Sequence, residues 1–121
     1  MSPTRALLLV LLAACTKHAT MPPPPDPRAF AAMDADAKCT AIAPRTEPCA
    51  DALEVADAKA ILGSDTPVAA KLAKTDPSTP DEARVIAHSM CLGDKGFADR
   101  VVKCWTTPTC DALARCAVVS P

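Results

Sequence analysis

The chain has 121 residues, 50% apolar but only 2% aromatic, with 13 proline, 3 glycine, 7 cysteine and a formal charge of −1. That length fits one small domain, and the balanced charge offers no basic surface for nucleic acid. Two histidines, two phenylalanines and one tryptophan leave little for acid–base catalysis, a metal site, or stacking on bases and sugars.

The first residues read as an address. Arg5 supplies a positive charge, residues 6–12 are an unbroken apolar run, and Ala13-Ala14 precede Cys15. A charged start, a short apolar run and small residues before a cut form the secretory pattern. The run is far below the ~20 residues that cross a bilayer. Leu12-Ala13-Ala14-Cys15 resembles the lipobox of bacterial lipoproteins. The resemblance implies that the Cys15 thiol takes a diacylglycerol, the chain is cut before it, and the new amine is acylated. Residues 1–14 are then a signal peptide, and three acyl chains, palmitate among them, hold the product on a membrane. In that class an aspartate after the cysteine tends to retain the protein at the inner membrane. Thr16 in its place implies the outer membrane, facing the periplasm or the cell exterior. The alternative is an ordinary secretory signal cut nearby, with Cys15 free or disulfide-bonded. Cysteine parity favours the lipid: seven is odd, and lipid on Cys15 leaves Cys39, Cys49, Cys91, Cys104, Cys110 and Cys116 for three disulfides in an oxidising compartment.

Residues 15–28 contain four consecutive prolines, Pro22 to Pro25. They favour polyproline II and read as a semi-rigid spacer lifting a domain at residues 29–121 off the lipid. In that domain alanine dominates and no window alternates at strand period, so the expected fold is an all-α, disulfide-stapled bundle of about five or six short helices. Thr66-Pro67, Thr79-Pro80 and Thr107-Pro108 each set a capping hydroxyl before a proline, and Thr79 with Glu82 forms a capping box. Gly63 and Gly93 stand where helices end in a left-handed residue. The expected helices are 28–42, 48–62, 67–74, 80–92, 96–105 and 108–119. Four apolar stripes follow helical spacing: Cys49, Leu53, Ala56 and Ala60; Ala83, Ile86, Ala87 and Met90; Phe97, Val101, Cys104 and Trp105; Cys110, Leu113, Cys116 and Ala117.

The six domain cysteines read as structural disulfides. No C-x-x-C exists for zinc or thiol exchange, and no C-x-x-C-H for haem, so neither metal nor cofactor is expected. The tail Cys104-x5-Cys110-x2-Leu113-x2-Cys116 resembles stretches in small, uncharacterised cysteine-containing envelope lipoproteins of high-GC bacteria, a likeness that implies no activity. If consecutive helices run antiparallel, Cys91 and Cys116 share one end of the bundle and Cys39, Cys49, Cys104 and Cys110 the other. Cys110 and Cys116 lie about 9 Å apart along one helix, too far to bond. The favoured pairs are therefore Cys91–Cys116, Cys39–Cys49 and Cys104–Cys110, with crossed pairings among the upper four equally compatible with this layout.

His88 stands three residues from Cys91 and reads as a polar-face histidine beside a disulfide rather than a ligand. His18 and Met21 fall in the spacer. Asp34-Ala35-Asp36 lacks the loop glycine of a calcium site and reads as a solvated face. Ser64, Ser78, Ser89 and Ser120 have no nucleophile-elbow context, and an enzyme would need the fold to bring serine or aspartate to His88. Phe97 and Trp105 read as core, with a pocket between them as the mark of a carrier or sensor of a small apolar ligand. The leading expectation is a non-enzymatic, lipid-anchored envelope protein that contacts another envelope or secreted protein. Its membrane contact is the lipid on Cys15, and nucleic acid is not an expected partner.

Overall fold

A computed structural model of the protein describes residues 21–63 and 76–118, and among these every regular element is helical. Asp26 accepts from the Ala29 amide at 3.0 Å and starts α1, Pro27–Ala31, with Pro27 supplying the preset φ of a first helical turn. Asp34 repeats the device with the Ala37 amide at 2.8 Å and starts α2, Ala35–Thr46. The single helix expected over 28–42 is thus two, because a second aspartate caps inside it. Pro44 lies within α2, and Pro48 within the short 3₁₀ turn Glu47–Cys49 that leads directly into α3, Ala50–Leu62. Each proline removes one amide. The carbonyls left without that donor belong to Thr40 and Pro44, both on the exposed side, so the helical path continues.

α3 stops at Gly63, whose φ of 92° suits glycine. α4, Pro80–Gly93, opens on the expected box: the Glu82 amide donates to Thr79 Oγ1 at 3.2 Å and the Thr79 amide to Glu82 Oε1 at 3.4 Å. Gly93 ends this helix without a positive φ; Asp94 caps it in extended conformation. A turn follows in which the Gly96 amide donates to Asp94 and Arg100 pairs with the same carboxylate. A Cβ on Gly96 would stand 2.6 Å from Arg100 Nη1, so a side chain there would displace the guanidinium. α5, Phe97–Lys103, and α6, Cys110–Ala117, complete the described chain. Thr109, not Thr107, caps α6, accepting from the Ala112 amide. Thr66-Pro67 and the expected helix 67–74 lie outside the described residues.

Side-chain pairings give the directions. Ser78, just before α4, donates its amide and hydroxyl to Asp51 in the first turn of α3 at 3.0 and 2.5 Å, while Cys91 near the end of α4 bonds Cys39 on α2. α4 therefore runs back along the α2–α3 path. α5 runs with α2, since Asp99 meets Lys38 at 3.7 Å and the Trp105 carbonyl accepts from Arg45 Nε at 3.0 Å. α6 returns past α5: Cys116 bonds Cys104, and Arg100 Nε donates to the Ala117 carbonyl at 2.7 Å. Ile42, Leu53, Phe97, Val101 and Leu113 are fully buried between these layers, with Phe30 and Trp105 closing the edges. Burying one such side chain contributes about 1.5–3 kcal/mol. All four expected stripes face this core at least in part; on α6 the buried face is Leu113, Ala114 and Ala117, while Cys116 is exposed.

None of the three favoured pairs forms. The bonds are Cys39–Cys91, Cys49–Cys110 and Cys104–Cys116, with Cα separations of 5.6, 5.0 and 6.0 Å. The premise that failed is a hairpin between α2 and α3. Because the helical path runs on through Glu47–Cys49, Cys39 and Cys49 are ten residues and about 15 Å apart along it. Cys39 thereby sits at the level of Cys91, which takes it from Cys116. Cys49 sits at the level of the α6 start and bonds Cys110, one of the crossed pairings left open by the sequence. The segment Trp105–Thr109 rises above the end of α5 before α6 begins, which sets Cys104 opposite Cys116 rather than Cys110.

Residues 21–28 also differ from a free spacer. Met21 packs against the core, the Trp105 indole N–H donates to the Pro22 carbonyl at 2.7 Å, and α1 buries Phe30. Among the described residues, packing of the domain already includes Met21, ahead of residue 29.

Candidate functional site

Three places combine polar chemistry with position. The first is where α4 crosses α2. Asp36 and Cys39 stand one turn apart on α2, His88 and Cys91 one turn apart on α4, so the buried disulfide Cys39–Cys91 has the pair His88 Nε2 to Asp36 Oδ1, at 2.9 Å, beside it. The fold thus does bring a carboxylate to His88. Both side chains are solvent-accessible and Ser89 is exposed on the next residue of α4, with no bond to the ring. The geometry is that of a surface ion pair when the imidazole is protonated, which ordinarily contributes less than about 1 kcal/mol. Asp34 and Asp36 act separately, one as a helix cap and one as the partner of His88. Among the described residues no group of three potential metal ligands gathers.

The second place is the knot at the end of α2. Arg45 is buried, and its guanidinium donates to the Trp105 carbonyl, the Thr107 carbonyl, Thr107 Oγ1 at 3.2 Å and the Cys49 sulfur at 3.6 Å. Burial lowers its pKa from the ordinary arginine value, but a guanidinium stays charged across the range in which proteins fold. No carboxylate faces it among these contacts; carbonyl dipoles do the neutralising. Thr107 is drawn into this knot and donates to the Cys104 carbonyl at 2.8 Å, which is why it does not cap α6. The indole of Trp105 is used up by Pro22, and Phe97 and Trp105 are 2% and 3% exposed, so both serve the core.

The third is a pair of open grooves that share Asp51 and Pro77, each of about 600 Å³. One lies between α3 and α6 and is lined by Asp51, Glu54, Asp111, Lys59 and Arg115. The other lies against the 3₁₀ turn and is lined by Pro44, Pro48, Pro77 and Pro80. Neither includes Phe97 or Trp105. Ser78, which lines the second groove, is tied to the shared Asp51 by its amide and hydroxyl. Their walls present charges of both signs and rigid proline edges, features suited to a polypeptide surface rather than to enclosing a small apolar molecule.

Cys15, His18, Ser64 and Ser120 lie outside the described residues. The sequence reading does not single out Arg45, the Pro22 carbonyl or the Asp51–Ser78 contact. Arg45 carries no local signal, because its partners are carbonyls 60 and 62 residues away. No protein-family model, curated protein or solved structure matches the chain.

Proposed function

We propose that the chain is a non-enzymatic, lipid-anchored envelope protein whose disulfide-stapled helical domain acts by contact with another envelope or secreted protein. The observation that carries the anchor is Leu12-Ala13-Ala14-Cys15 directly after a short apolar run. The closed pairing of the other six cysteines supports it, since no domain cysteine is left over for Cys15. Export, membrane anchoring and the outer membrane follow from the same four residues and Thr16. Contact rather than catalysis is supported by a His88–Asp36 pair that binds no hydroxyl, by a core closed over Phe97 and Trp105, and by grooves open to solvent.

Radioactive palmitate tests the anchor. Wild-type protein takes up label, and Cys15→Ser yields an unlabelled product; wild type without label overturns the reading. Photo-crosslinking from Glu54 and Asp111 in cells tests contact. A discrete protein adduct from this groove is expected, and a labelled small molecule in its place would move the function to ligand carriage.

A further inference from the structure

The end of the domain nearest the anchor is set by contacts already described. Met21 packs on the core and the Pro22 carbonyl holds the Trp105 indole, so the chain is fixed to the domain from Met21 onward. Only six residue steps separate Met21 from Cys15. At the most extended, about 3.5 Å per residue, they reach about 21 Å. A free spacer from Cys15 to Arg28 would allow about 40 Å even at polyproline rise. Two segments meet where the chain docks, Met21-Pro22-Pro23-Pro24-Pro25 and Trp105-Thr106-Thr107-Pro108-Thr109, and neither carries an ionisable side chain. Bringing these two segments to a headgroup layer desolvates no side-chain charge of their own, and the exposed charges that border them are Asp26, Lys103 and Asp111.

We infer that the docked proline segment is an orientation device: it keeps the Met21–Trp105 end of the domain, rather than its opposite end, facing the lipid surface, within about 21 Å of the acylated Cys15. The inference rests on the lipid-anchor reading above. Because the segment is fixed at Met21, the distance to the bilayer depends on the residues before Met21 and not on the prolines after Pro22.

Two insertions separate these lengths. The acylated protein is placed in phosphatidylcholine vesicles carrying a dansyl headgroup acceptor, and energy transfer is read from Trp105, the single tryptophan. Ten Gly/Ser residues inserted between Thr20 and Met21 extend the maximal reach to about 56 Å, and transfer falls severalfold. The same ten residues inserted between Pro25 and Asp26 leave Met21 and Pro22 docked, and transfer is unchanged. Equal losses from both insertions overturn the inference in favour of a free spacer. No loss from either overturns it in favour of a domain that binds lipid by itself. Palmitate label is counted on the same samples. Absent label, with protein free of vesicles, overturns the anchor and this inference together, whereas label with equal losses overturns the inference alone.

Discussion

Arg45 shows how much one side chain organises here. Its guanidinium satisfies the carbonyls of Trp105 and Thr107 on the segment between α5 and α6 and touches the sulfur of Cys49. Arg45→Met keeps much of the stem but leaves those acceptors buried and unpaired, so a loss of about 3 kcal/mol is expected. The urea midpoint should fall accordingly, and a change under about 1 kcal/mol would mean that water replaces the guanidinium. Asp94 shows the smaller scale of a surface pair. The hydrogen bond from Arg100 holds its carboxyl below the ordinary carboxylate value. A depressed folded pKa adds stability above the unfolded value and loses it as pH falls through the folded one. Asp94→Asn should lower stability slightly at neutral pH and flatten the acid limb of stability against pH. An unchanged acid limb would show that the pair is fully screened.

At the scale of the element, local chemistry and long-range geometry separate cleanly. The Thr79–Glu82 box was readable because its four residues are contiguous, and Thr79→Ala should cost about 1 kcal/mol in chemical denaturation. The all-α class and the turns around Thr79 and Gly63 were readable for the same reason. The path from α2 to α3 was not. The helices expected over 28–42 and 48–62 form an antiparallel pair in the sequence reading, yet the path between them runs on, with Pro44 and Pro48 on the exposed side, where the carbonyls they orphan can meet water. That single misreading carried the disulfide pairing with it. A non-reducing peptide map should return Cys39–Cys91, Cys49–Cys110 and Cys104–Cys116; any Cys91–Cys116 peptide would restore the hairpin. Chain entropy ranks the bonds: sequence separations of 52 and 61 constrain the unfolded chain by about 4 kcal/mol each, a separation of 12 by about 3 kcal/mol. Cys116 is also exposed. The double variant Cys104→Ala, Cys116→Ala should therefore melt closest to wild type of the three double variants.

At the scale of the molecule, few large side chains hold the interior among the described residues. The fully buried set includes Phe97, Ile42, Leu53, Leu113 and Val101, and much of the rest of the core is alanine and half-cystine. The candidate surfaces were barely legible in sequence, since a groove between α3 and α6 depends on how two helices cross and not on either alone. His88 and Asp36 illustrate the same limit: 52 residues apart, they meet only because α4 turns back over α2. What sequence did carry was the all-α class and the even count of the six domain cysteines, both of which rest on counts or contiguous strings.

The bond pattern gives the molecule a topological property. Cys39 and Cys49 precede Gly63, while Cys91 and Cys110 follow residue 76, so two covalent ties span the stretch between them. The third tie, Cys104–Cys116, lies wholly within the later portion. A single peptide bond cut anywhere between Gly63 and Asp76 therefore severs the backbone without dividing the molecule. Such a nicked species should migrate as one band without reductant and as two fragments with it, with both portions still crosslinked at the start and at the middle of the α2–α3 path. A chain wired in this way can suffer one proteolytic scission there and keep its later portion covalently joined to its first.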